Sequence, residues 1–160
     1  MSAIIYERHG HLAHIRVNRT DHGNRLTMEM FRRFGQILTD VNADLDLRCT
    51  LVTANGAHFS GGVDPADVLR AWAAGKSPFD DTQVTPTGVT GRKRKKPLVT
   101  AVNGNGLNVG LELALASDIC VAADDARFAF HECVSAFIPS EADCFASFAQ
   151  PAGMRRCAIV

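Results

Sequence analysis

Two stretches decide how this chain is read: His58-Phe59-Ser60-Gly61-Gly62-Val63-Asp64 and Asn103-Gly104-Asn105-Gly106-Leu107-Asn108-Val109-Gly110-Leu111-Glu112-Leu113. The first follows the strand-like run Cys49-Thr50-Leu51-Val52-Thr53-Ala54, the second Leu98-Val99-Thr100-Ala101-Val102. Each leads into a helix-like stretch, over 64–74 and through about residue 117. Glycine lets a backbone turn tightly and come close to a ligand. Two such loops side by side can aim two backbone N–H groups at one point. That is how negative charge building on a carbonyl oxygen is stabilised.

Outward from these loops, residues 11–17 alternate polar and apolar, the pattern of a half-buried strand. Residues 4–7 are expected to pair with them across a His9-Gly10 turn. Asp21-His22-Gly23-Asn24 is turn chemistry. Thr27 reads as an N-cap, and Phe31, Phe34, Ile37, Leu38, Val41 and Leu45 recur at helical spacing, which predicts a helix over 27–44. Residues 76–91, rich in Pro, Gly, Thr and Asp, read as a mobile surface loop. Strands are predicted at 119–122 and 127–130, and a helix from about 141 to 151. Strand–turn–strand–helix thus recurs without sequence identity between the units. The fold class is α/β, with ligand loops at strand ends.

The chain has 160 residues, 46% apolar and 21% charged, enough for one domain with a core. Its net charge is zero, so there is no global electrostatic case for nucleic acid or membrane binding. No apolar run approaches bilayer length. The N-terminus lacks the pattern of a signal peptide. Five cysteines without a C-x-x-C pair read as reduced thiols of a cytoplasmic protein. No ligand cluster has metal spacing, so no metal is expected.

Several segments together resemble the crotonase (enoyl-CoA hydratase/isomerase) superfamily. Phe59-Ser60-Gly61-Gly62-Val63-Asp64 resembles the family's F-S/A-x-G-x-D loop. Lys96-Pro97-Leu98-Val99-Thr100-Ala101-Val102-Asn103-Gly104 is similar to its K-P-x-I-A-A-V-N-G strand and turn. Gly110-Leu111-Glu112-Leu113-Ala114-Leu115-Ala116-Ser117-Asp118-Ile119 resembles its G-x-E-L-A-L-A-x-D-I segment, and Ala126-Arg127-Phe128-Ala129-Phe130-His131-Glu132 its A-x-F-x-x-P-E segment.

The resemblance implies a spiral of ββα turns, residues 1–160 forming a single spiral core domain, with the C-terminal helical part missing or truncated. It implies an acyl-CoA thioester as substrate and water addition across a 2,3-double bond. The oxyanion N–H groups fall on Val63 and Val109, and the two glutamates that hold the water on Glu112 and Glu132. Ser60, Gly61, Gly62, Asp64, Gly110 and His131 are implied around the substrate. No cofactor is implied beyond the coenzyme A that the substrate carries. A homotrimer or hexamer is implied. The chain departs from the family pattern at Val109, where glycine is usual and a β-branched side chain is expected to intrude beside the carbonyl site. It departs again at His131, where proline is common, and at 139–143, where glycine is usual.

Other readings stand beside these. Gly104-x-Gly106-x-x-x-Gly110 is one residue too long for a dinucleotide loop and leaves 59–64 unexplained. Glu112 is also what the first turn of any helix favours. Glu132 alone reads as a solvated loop acid, and Asp64 as an N-cap. His131 is either a bystander or a partner in proton chemistry. The basic run at 92–96 reads first as a solvated face and second as an attractive field for CoA phosphates. Within the same fold the alternatives are an enoyl-CoA isomerase, another crotonase reaction, or a non-catalytic acyl-CoA-binding protein.

Overall fold

β1 (Ile4–His9) and β2 (Leu12–Val17) pair antiparallel, from Ile4↔Val17 to His9↔Leu12. The alternation in β2 sends Ala13, Ile15 and Val17 into the core and His14 and Arg16 to the other face. The reversal falls on Gly10-His11, one residue later than expected. These features belong to a computed structural model of the chain that describes residues 2–75, 82–89, 91–130 and 157–159. His131, Glu132, Glu141, Asp143 and the helix expected from 141 lie outside the described residues.

α1 (Met28–Ala43) starts where its cap predicts: Met30 N–H donates to Thr27 Oγ1 at 3.3 Å. Its apolar stripe, Phe31, Phe34, Ile37, Leu38 and Val41, packs into the core. Burying each such side chain contributes about 1.5–3 kcal/mol. Leu45 does not extend the stripe and is 98% exposed. The helix ends at Ala43 because Asp44 turns extended and its carboxylate accepts the N–H groups of Asp46 and Leu47. Leu47, not Leu45, fills the core below that turn.

β3 (Cys49–Ala54) lies parallel to β2, β4 (Leu98–Val102) parallel to β3, and β6 (Ile119–Ala122) parallel to β4. With β8 (Cys157–Ile159) at the far edge, the large sheet runs β1-β2-β3-β4-β6-β8. A second layer is built from shorter pieces. Leu26 bridges Val63, Ser60 bridges Gly106, and β5 (Asn105–Leu107) pairs parallel with β7 (Arg127–Ala129). Each turn of the chain therefore gives one strand to the large sheet, then a short extended piece beside the next turn. The first three turns then enter α1, α2 (Pro65–Ala73) and α3 (Val109–Leu115). This is the expected α/β spiral of ββα turns. No helix among the described residues is long and apolar enough to cross a membrane.

Two surface expectations are corrected. Residues 84–87 are not a surface loop: Val84, Thr85 and Thr87 are almost fully buried. They cross α1 at Gly35, where a Cβ would meet Gln83 Oε1 at 2.9 Å, and Val84 N–H donates to Thr39 Oγ1 at 2.9 Å. The basic run is only partly a solvated face. Arg92, Lys93 and Lys95 are exposed, but Arg94 pairs with Asp118 at 2.5 Å and donates to Ala116 C=O, while the Lys96 ammonium donates to Asp44 C=O. The run precedes β4, at the amino end of the sheet, so it does not reach the loops that follow the strands.

Candidate active site

The site is built where β2, β3 and β4 end. Phe59 N–H donates to Asn103 C=O, Ser60 N–H to Asn105 C=O, and Leu107 N–H to Ser60 C=O, all at 2.8–2.9 Å. These bonds lace the two glycine loops together along their length. Side-chain contacts tighten the seam. A Cβ on Gly110 would stand 2.8 Å from Ser60 Cβ, so only glycine lets α3 begin against the first loop. Gly62 sits against the Asn108 side chain, whose amide nitrogen would be 3.1 Å from an added Cβ. Val63 and Val109 each stand one residue beyond a member of that Gly62–Asn108 contact.

The backbone on either side sets where these amides point. Leu26 N–H donates to Gly62 C=O and Asp64 N–H donates to Leu26 C=O, both at 2.8 Å. In such a parallel bridge the residue between turns its own N–H the other way. Val63 N–H has no backbone acceptor among the described residues. In the second loop Asn108 takes φ 51° and ψ −116°, and Val109 becomes the first residue of α3. First-turn N–H groups have no acceptor within their helix. Val109, the β-branched residue where glycine is usual, is 4% exposed and belongs to the apolar core. The positive-φ strain falls on Asn108, whose ψ of −116° lies outside the left-handed helical well that Asn tolerates. Glu112 N–H closes that first turn on Asn108 C=O at 3.0 Å, and Glu112 is half-buried.

Ser60 is fully buried, with Gly62 N–H donating to its hydroxyl and the hydroxyl donating to Asn24 C=O. It shapes the loop from beneath. Gly61 N–H donates to Gly23 C=O at 2.8 Å, tying the loop to the turn after β2. The hub of that turn is Asn24, which reads in the sequence only as turn chemistry. It is 1% exposed, with φ 55°. Its amide donates to Asn55 C=O and His58 C=O, and its side-chain oxygen accepts Arg19 N–H. The one local signal is an Asn capable of the left-handed conformation directly after a glycine.

Asp64 is the expected N-cap: Asp67 N–H donates to Asp64 Oδ1 at 3.2 Å at the start of α2. Its other oxygen meets Arg19 Nη2 at 2.8 Å, both side chains largely covered. The Arg19 bond, with help from the Asp67 and Ala66 N–H groups, holds the Asp64 carboxyl below the usual carboxylate range despite desolvation. A carboxyl lowered on folding stabilises the fold above its unfolded pKa of about 3.9. That contribution fades as pH falls through the folded value. Arg19→Gln is therefore expected to raise the midpoint of acid unfolding, measured by circular dichroism between pH ~5 and ~2. An unchanged midpoint would mean that the pair adds nothing.

Beside the laced loops lies an open cleft of about 700 Å³. Its wall includes His22, Arg25, His58, Gly61, Asp64 and Leu107. His22 and His58 lie near the glycine loops in the sequence, which gives neither of them a role. His58 Nδ1 faces Asn105 N–H at 3.3 Å, while Arg25 and His22 are exposed at the rim. The cleft thus sets the Asp64 carboxylate beside a basic rim of His22, Arg25 and His58, while Val63, Val109 and Glu112 are not among its described lining residues.

Comparison with known proteins places the chain in a family. The family model described as Enoyl-CoA hydratase/isomerase matches residues 7–155. Enoyl-CoA hydratase EchA19 of Mycobacterium tuberculosis is 32% identical over 136 residues, covering 80% of this chain and 49% of that protein. A carnitinyl-CoA dehydratase of Citrobacter koseri is 33% identical over 139 residues, covering 84% and 51%. The crystal structure of a probable enoyl-CoA hydratase/isomerase from Mycobacterium abscessus superposes with a TM-score of 0.80 at 33% identity, over 86% of this chain and 53% of that one. The chain spans about half the length of the curated relatives it matches. With the motifs, the spiral of turns and the laced loops in agreement, the chain belongs to the enoyl-CoA hydratase/isomerase family, within the crotonase superfamily.

Proposed function

We propose that this chain binds an enoyl-CoA thioester and supports addition of water across its 2,3-double bond. The observation that supports the reading is the seam between the two loops, where Gly62 and Asn108, the residues just before Val63 and Val109, lie against each other. The thioester carbonyl oxygen accepts both N–H groups. Water adds its oxygen to C3, the π electrons move toward the carbonyl, and the resulting enolate charge is held by the two amides. Glu112 and Glu132 hold that water. One takes a proton from it while the other, as the acid, delivers a proton to C2. Two carboxylates at one water repel, which raises one pKa and makes that group usable as the acid.

The remaining residues take supporting parts. Gly61, Gly62 and Gly110 let backbone come close to the ester, Ser60 and Asp64 hold the first loop in shape, and His131, next to Glu132 in sequence, tunes its proton. Arg25, His22 and His58 on the cleft rim attract the CoA phosphates, a part that the 92–96 run is too far round the sheet to take. No further cofactor is required by this chemistry. A homotrimer or hexamer in the cytoplasm belongs to the same reading, and relatives named as hydratase and dehydratase support the reaction class.

The test pairs turnover with binding. Crotonyl-CoA hydration is followed by loss of enoyl absorbance, and butyryl-CoA, which cannot be hydrated, reports binding by calorimetry. Turnover with binding is expected. Binding without turnover of any enoyl-CoA overturns the hydratase in favour of an acyl-CoA-binding protein, and double-bond migration without hydration favours the isomerase.

A further inference from the structure

The β1–β2 hairpin carries a second chemical group well away from the cleft. Glu7 and His9 lie two residues apart on β1 and so point to one face of the sheet. His14 on β2 stands directly opposite Glu7 in the register. Side chains so opposed have Cβ atoms about 5 Å apart. This placement is invisible in the linear sequence, where Glu7, His9 and His14 show no metal spacing. In the folded hairpin one donor atom from each lies within 4.8 Å of the others. His9 Nε2 and Glu7 Oε2 are 3.4 Å apart. Two ligands on a tetrahedral zinc ion with bonds near 2.0–2.1 Å stand about 3.3 Å apart.

We propose that Glu7, His9 and His14 form a binding site for a divalent transition cation of the zinc type, independent of the enoyl-CoA reading. The donor set, two imidazoles and a carboxylate, suits zinc and its borderline neighbours, and it is poor for calcium or magnesium, which require more oxygens. The surroundings orient the ligands. His14 Nε2 lies 2.9 Å from Thr53 Oγ1 on β3. With Nε2–H donated to that hydroxyl, Nδ1 is the nitrogen left to accept a cation, the outer contact that ligating imidazoles commonly have. Arg16 Nη2 holds Glu7 Oε1 at 2.6 Å, which fixes the carboxylate and leaves Oε2 toward His9. The outer side is open, since the His9 side chain is 58% exposed, so water completes the coordination. The bound cation clasps the edge strand β1 to β2.

The experiment titrates zinc chloride into the full chain by calorimetry, with thermal midpoints recorded with and without the metal. The wild type is expected to bind at micromolar zinc and to rise in midpoint, because a ligand that binds only the folded state stabilises it. His9→Ala and His14→Ala are each expected to weaken that binding at least tenfold and to lose the rise. No binding by the wild type, or equal binding by both folded variants, overturns the site. If the variants do not fold, the Co²⁺ adduct of the wild type decides. Visible ligand-field bands without thiolate charge transfer support the site. A thiolate-dominated spectrum puts the metal on cysteine and overturns it.

Discussion

Glu112→Gln is expected to lower kcat for crotonyl-CoA hydration by about 10²–10⁴-fold with little change in KM. Glutamine keeps the size of the side chain and its capacity to hold water, but it neither takes nor gives a proton. Glu112 lies in the first turn of α3, and its main-chain bonds to Asn108 C=O and from Ala116 N–H survive the exchange. The loss therefore reports chemistry, not folding. Glu132→Gln should fall by a similar factor if the pair acts on one water. A Glu112→Gln enzyme with full hydratase activity would sink the two-carboxylate mechanism, and steady-state kinetics on the two variants is sufficient to show it.

Gly104→Ala is expected to destabilise the chain by about 3 kcal/mol or more, and to abolish butyryl-CoA binding under conditions where the wild type binds. Gly104 has φ +54°, and a Cβ there would run into the carbonyl oxygen of Ala57 and come within 2.6 Å of His58 Nδ1. Backbone cannot yield as the end of a flexible side chain can. The first loop would have to retreat from β5, breaking the seam at Phe59, Ser60 and Leu107. Gly10→Ala is the control, since its φ is +58° and nothing lies within 4 Å of its Cβ position. It should cost only the left-handed penalty, about 1–2 kcal/mol. Urea unfolding of the two variants separates conformational strain from collision. Equal losses would mean that the close approach at Gly104 is not what matters.

Much of this architecture is legible in the sequence, because strong periodicity and caps state it locally. The stripe from Phe31 to Val41, the Thr27 cap and the Asp64 cap all fall where residue type and spacing put them. Other features escape such reading. β5 has only three residues, too few to show alternation, and it exists because it pairs with β7, the strand expected at 127–130. Burial of residues 84–87 is hidden because Pro and Thr resemble surface composition, and the decisive residue is Gly35 on the helix they cross. Asn24 is hidden because a hub is defined by its partners, which come from residues far along the chain. The glycine loops are legible as loops. Their contact is not, since it depends on Gly110 meeting Ser60 and Gly62 meeting Asn108. The Glu7, His9 and His14 cluster escapes likewise, because strand register brings it together.

The seam has a kinetic consequence. His58 and Asn105, which meet across it, are separated by 47 positions. Contacts of such high sequence separation form late and slow the search for the native state. A chain with only its first two turns docked would already have Val63 placed but nothing yet opposite it. Competence to grip an ester should therefore emerge in one step when the third turn arrives, with no partly active species on the way.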